Sequence, residues 1–160
     1  MPCPTLKLAR IADSYSIALM SRELIEAGLN GWSWHPDRVA RAVRARDTNV
    51  LVADVHSHLV GFAIMDFGEA RAHLSLLAVK PSHQRCGIAT QMLNWLEASA
   101  LAAGIERIDL ELRATNDDAR SFYRARGFKE GSYLPGYYLG VETALRMSRD
   151  IRRHIPDRIS

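Results

Sequence analysis

At 160 residues, 48% of them hydrophobic, the chain suits a single domain large enough to bury a continuous core. No run approaches the ~20 apolar residues of a membrane span and the start lacks the charged-then-apolar pattern of a signal segment, so a soluble cytoplasmic protein with no membrane partner is expected. The net charge of +3 is spread over scattered arginines with few aromatics among them, which argues against a nucleic-acid partner, and Cys3 and Cys86 have neither metal-ligand nor disulfide-framework spacing.

Residues 6–9 alternate apolar and basic and predict a first strand. Ala12, Asp13 and Ser14 offer caps for a helix to about residue 27, with Ile17, Met20, Leu24 and Ile25 on one face at helical spacing. Residues 28–31, with two glycines, end it. A second helix is predicted over 36–46, starting at Pro36 or Asp37 and carrying a narrow apolar stripe at Val39 and Val43. Strand-like runs at 50–55, 58–66 and 72–79 are separated by His56-Ser57 and Gly68-Glu69, which reads as an antiparallel meander. Pro81 closes the third run. A helix over 88–103 places Ile88, Met92, Leu93, Leu96 and Leu101 near one face, with Gly104 as its stop. A strand at 107–112, a helix at 117–126 and strands at 129–133 and 138–147 follow. The domain is expected over 1–148, with 149–160 a short basic tail, helical or frayed. That order predicts an α/β (α+β) fold with a mixed, largely antiparallel central sheet and helices on both faces.

Gln84-Arg85-Cys86-Gly87-Ile88-Ala89 lies between an apolar strand and an amphipathic helix. A glycine turn opening a helix presents unpaired backbone N–H groups at the positive end of the dipole, where a phosphate or diphosphate binds. The Lys and neighbouring hydroxyl of a Walker loop are missing, and so are the three glycines of a dinucleotide fingerprint. What remains is Gln/Arg-x-x-Gly-x-Gly/Ala after a strand. Further on stand Leu110-Glu111-Leu112-Arg113, then Asn116, then Phe122-Tyr123 and Gly127-Phe128. These two motifs, in this order, resemble the GNAT superfamily of N-acetyltransferases, and within it the branch that acetylates ribosomal-protein alanines. The resemblance runs over roughly residues 5–148.

It implies acetyl-CoA as cosubstrate and a sheet splayed at a coenzyme notch. Leu77, Ala78 and Val79 would line that notch, and Gln84, Arg85, Cys86, Gly87, Ile88, Ala89 and Thr90 would hold the diphosphate. A strand bulge near Leu76 and Leu77 would free an N–H to polarise the thioester carbonyl. Asn116 would cap the following helix, hold the pantetheine arm, or both. Glu111 is the candidate base, its pKa raised by burial; the alternative is an ion pair with Arg113 or another arginine, and Asp109, on the same strand face, is the fallback. Tyr123 is the candidate general acid and a coenzyme contact, against the alternative of a ring packed beside Phe122 and Phe128. Trp34 on one side and Tyr133, Tyr137 and Tyr138, in a loop before the last strand, on the other would wall an acceptor groove.

The implied acceptor is a primary amine, possibly a protein N-terminus, with the enzyme a monomer or homodimer. Alternatives are a small amine drawn by an acidic pocket of Glu23, Glu26 and Asp66, or a non-catalytic acyl-CoA sensor. No metal is expected, since His56, His58, His73 and His83 lack ligand spacing.

Overall fold

The structure, a computed structural model, describes residues 3–152. In chain order the strands and α-helices are β1 (Thr5–Leu8), α1 (Ser14–Leu24), α2 (Pro36–Arg44), β2 (Thr48–Val55), β3 (His58–Phe67), β4 (Arg71–Val79), α3 (Ile88–Ala102), β5 (Arg107–Arg113), α4 (Asp117–Ala125), β6 (Lys129–Tyr138) and β7 (Glu142–Asp150). The strands hydrogen-bond in the order β1-β2-β3-β4-β5-β7-β6. Pairing is antiparallel for β1 with β2, β2 with β3, β5 with β7 and β6 with β7, and parallel for β4 with β5. This is the mixed, largely antiparallel sheet that the element order predicts. Among the described residues, 3–66 with 75–98 make one compact unit and 67–74 with 99–152 make another.

In the first unit, the period-2 pattern of the strands divides the apolar side chains between two faces. Val50 and Val52 of β2 and Phe62 and Ile64 of β3 pack with Ile17, Met20 and Val39 of the first two helices. The intervening residues, Leu51, Ala53, Ala63 and Met65, are equally buried and point to the opposite side. There Gly61 meets α3: a Cβ at residue 61 would lie 3.1 Å from the Ala78 carbonyl oxygen and 3.2 Å from Met92 Cε. The missing side chain thus lets a strand and a helix approach closely. Between β2 and β3, His56 and Ser57 both take positive φ, 50° and 63°, the pattern of the primed turn whose twist suits a two-residue hairpin.

Helix α1 stops at Leu24, short of the predicted residue 27, because Glu26 turns inward. Its buried carboxylate accepts hydrogen bonds from the Ser21 hydroxyl at 2.9 Å, the Ser33 N–H at 2.6 Å and the Trp34 N–H at 3.4 Å. Three such donors outweigh one further helical turn. Helix α2 starts at Pro36 as predicted, with His35 Nδ1 accepting from the Arg38 N–H at 3.3 Å. It ends at Arg44 rather than residue 46, where Ala45 takes an extended conformation.

In the second unit, β5 alternates strictly. Ile108, Leu110 and Leu112 are buried, while Arg107, Asp109, Glu111 and Arg113 line the other face. The partner residues on β7 keep the same division, with Leu112 opposite Leu145, Leu110 opposite Met147, Glu111 opposite Arg146 and Asp109 opposite Ser148. The parallel ladder of β4 and β5 runs from Arg71 opposite Arg107 to Leu74 opposite Leu110.

The last hairpin differs from the predicted strands. β6 continues through Pro135 and Gly136 to Tyr138, so Tyr137 and Tyr138 belong to a strand and not to a loop. As an edge strand it tolerates proline, and its ladder with β7 shifts register between Glu130 and Tyr133 and between Leu134 and Tyr138. The turn falls instead at Leu139 and Gly140, at φ 52° and 74°. β7 runs on to Asp150, and the Ile151 N–H donates to the Glu106 carbonyl at 2.9 Å. Residues 153–160 of the expected tail lie outside the described residues. No helix among the described residues is long and apolar enough to cross a membrane.

Candidate active site

The predicted diphosphate loop belongs to the first unit. Beyond β4, Pro81–His83 form a single 3-10 turn, and the Gln84 side-chain amide donates back to the Val79 carbonyl at 3.0 Å, fixing the strand end to the loop. Arg85 and Gly87 then take positive φ, 63° and 79°, which turns the chain into α3. The Gln91 N–H already donates to the Gly87 carbonyl at 3.0 Å. The amides of Ile88, Ala89 and Thr90 precede it and have no helical carbonyl of their own. Among the described residues, and apart from its two chain neighbours, no heavy atom lies within 4 Å of a Cβ built on Gly87, so the loop is open at that point. Such amides with open space suit an anion. Cys86 is half-buried, and its Sγ lies 3.5 Å from the Gln84 carbonyl oxygen. On β4, Ala78 and Val79 are buried and Leu77 is partly so.

Trp34, also in the first unit, is partly buried against the core, with the Arg38 guanidinium 3.7 Å from its ring centroid. One ring face is therefore occupied by Arg38. Two of the three carboxylates of the supposed acidic pocket are committed as well, while Glu23 is exposed. Glu26 holds the loop after α1, and Asp66 accepts from the Thr48 hydroxyl at 2.7 Å and the Ser75 hydroxyl at 2.8 Å.

The second unit carries the predicted acid and base. Glu111 has a side chain only 7% exposed, and both of its oxygens are engaged. Oε2 lies 2.5 Å from His73 Nε2, and Oε1 accepts from Arg146 Nη2 at 2.9 Å and Nε at 3.3 Å. Burial pushes this carboxyl up, but hydrogen bonds from His73 and Arg146, with their charges, outweigh it and hold the group below the usual glutamate range. The predicted rise in pKa is thus reversed, because desolvation is not the only influence. The ion pair weighed as the alternative exists, though with Arg146; Arg113 stands 3.5 Å from Glu142 instead. Asp109 is pushed up by burial too, and the Ser148 hydroxyl at 2.7 Å and Arg107 at 2.8 Å more than offset it.

Tyr123 is buried on α4, its ring edge-on to Phe122 at 5.1 Å and to Phe128 at 5.4 Å. The packing weighed against the acid role is therefore present. Burial, assisted by Tyr138, pushes the Tyr123 phenol well above the usual range, so it keeps its proton. Tyr138 is raised for the same first reason, then by Tyr137 and Glu111. Asn116 caps α4, its Oδ1 accepting from the Ala119 N–H at 3.1 Å. Tyr133 and Tyr137 are about half exposed, and Arg120 donates to the Tyr133 hydroxyl at 2.9 Å.

Sequence reasoning missed His73 and Arg146. Both lie on strands neighbouring β5, and only the pairing register brings them to Glu111. The one sequence signal was a histidine on the non-apolar parity of an otherwise apolar strand.

Residues 15–128 match the acetyltransferase (GNAT) family. That match spans most of the chain, and the chain belongs to the GNAT family of acetyltransferases. Over 97 residues it is 34% identical to an uncharacterized N-acetyltransferase of Methanocaldococcus jannaschii, a stretch covering 60% of this chain and 62% of that relative. In fold it is similar to the ribosomal-protein-S18-alanine N-acetyltransferase of Escherichia coli, with TM-score 0.78, 23% identity, and 92% of this chain and 94% of the other covered. It is also similar to Arabidopsis thaliana Naa50, solved with the bisubstrate analogue CoA-Ac-MVNAL, with TM-score 0.76, 19% identity, and 92% and 99% of the two chains covered.

Proposed function

We propose that this chain moves the acetyl group of acetyl-CoA to a primary amine by direct attack in a ternary complex, and that the acceptor is the α-amine of a protein N-terminus. The observation that carries the reading is a pair of shielded groups in one unit: the Glu111 carboxylate, gripped by His73 and Arg146, and the Tyr123 phenol, buried beside Phe122 and Phe128. A carboxylate and a phenol kept from water in one unit support the roles of base for Glu111 and acid for Tyr123.

The amine nitrogen attacks the thioester carbonyl, a C–N bond forms and the C–S bond breaks. The amine's proton passes to Glu111, directly or through water, and the departing sulfur is met by the Tyr123 O–H. A thiolate entering the same buried surroundings is itself made more basic, which favours sharing that proton. The backbone amides of 87–90 would hold the diphosphate, with Gln84, Arg85 and Cys86 shaping their turn, and Leu77, Ala78 and Val79 would pair with the pantetheine arm. Cys86 and Cys3 are given no covalent part, since neither shows a hydrogen bond to a basic side chain among the described residues.

The strength of the base bears on the acceptor. Neutralising an α-amine of pKa about 7.7 to 8.0 at pH 7 costs about 1 kcal/mol, against about 4.6 kcal/mol for a lysine of pKa about 10.4. A carboxylate held below its ordinary range suits the first task. The Naa50 complex with a peptide-bearing analogue supports the same acceptor class. A small cationic amine would need free carboxylates, and two of the three considered, Glu26 and Asp66, are already engaged, which leaves the exposed Glu23.

The test is coenzyme thiol release measured with short peptides that differ in their first residue, beside polyamines and free amino acids. Turnover concentrated on peptides with a free Ala or Ser terminus is the expected result. Turnover confined to polyamines would overturn the acceptor, and none with any amine would overturn the reaction.

A further inference from the structure

We propose that His73 is the positioning residue of Glu111: its imidazole holds one carboxylate oxygen and, by gaining or losing its own proton, sets the pH at which Glu111 accepts a proton from the acceptor amine. This rests on the acetyl-transfer reading above and adds to it a residue that no motif contains.

At 2.5 Å, an unprotonated Nε2 facing Oε2 would set two lone pairs against each other. A proton must lie between them, so a neutral His73 carries its hydrogen on Nε2. The pair then has two charge states. With the imidazolium, the charge on Glu111 is neutralised and the carboxylate is a poor base. With the neutral imidazole, the same oxygen receives a weaker hydrogen bond and the carboxylate is the stronger base. The other oxygen is held by Arg146, whose guanidinium stays charged at every working pH and so cannot switch. Of the two partners, only His73 has an ordinary pKa, about 6.5, near neutrality.

The charges facing this pair come from three strands. Asp109 on β5 is the register partner of His73 and is held by Arg107 and Ser148. Arg71 stands on the same parity of β4, and Arg146 reaches over from β7. Asp109 favours the imidazolium and the three arginines oppose it. From β6, the half-buried Tyr138 phenol stays neutral near Glu111. Access differs as well: the His73 side chain is 40% exposed and can exchange its proton with water, while Glu111 is shielded.

Two measurements test the proposal. In an NMR titration of the imidazoles, Glu111→Gln should lower the His73 midpoint by about one pH unit or more, the scale of losing an adjacent carboxylate. An unchanged midpoint overturns the coupling, and this arm needs no turnover, so it fails separately from the acetyl-transfer reading. In the second, the pH dependence of kcat is recorded at saturating acetyl-CoA and peptide, where titration of the free amine drops out. His73→Gln keeps a neutral donor, and its acidic limb should move to lower pH by about one unit or more, with KM for acetyl-CoA within about twofold. A limb that stays in place makes His73 merely structural and overturns the proposal. His73→Asn carries the same arm should His73→Gln not fold.

Discussion

Glu111 shows how one residue can be legible in position and misread in chemistry. Parity along β5 places it on the polar face. Its pKa, however, depends on His73 and Arg146, 38 and 35 residues away in the chain, and one-dimensional spacing carries no trace of them. Tyr123 was easier, because Phe122 and Phe128, which bury it, are close by in the same motif. The two residues should separate kinetically. On the proposed reading Tyr123→Phe removes an interaction made as the thiolate forms, so kcat should fall by about 10²- to 10⁴-fold with KM for acetyl-CoA little changed. Glu111→Gln should cost a similar factor and flatten the acidic limb of the pH–rate profile. Full rates in both variants would withdraw both assignments.

At the scale of elements, hydrophobic period and turn residues located most helices and strands to within a few residues. The larger misses share one cause, a tertiary setting that local preference does not show. Helix α1 stopped early because Glu26 found three donors beyond it. β6 passed through Pro135 because an edge strand need not donate there. Gly61 shows the converse, a glycine whose purpose appears only in the packing of β3 on β4 and α3. The added methyl of Gly61→Ala must displace a backbone oxygen as well as the flexible end of Met92, so a loss of about 1 to 3 kcal/mol is expected from the denaturant midpoint at unchanged m-value. Stability equal to the parent would mean that β4 gives way freely.

For the molecule as a whole, the sequence motifs identified both parts of the proposed machinery and the structure assigns them to different compact units. The Gly87 loop belongs to 3–66 with 75–98, and Glu111, His73, Arg146 and Tyr123 belong to 67–74 with 99–152. The proposed reading divides the labour accordingly: one unit grips the donor and the other moves protons. The most direct check is the dissociation constant of acetyl-CoA, measured by titration calorimetry on the parent chain, Gly87→Val and Tyr123→Phe. A valine at φ 79° is strained and should disturb the amides around it. Losing one or two charge-assisted hydrogen bonds predicts at least about tenfold weaker binding for Gly87→Val, and Tyr123→Phe should bind within about twofold of the parent. A parent chain that gives no binding, or a Gly87→Val variant that binds as tightly as the parent, would contradict the account.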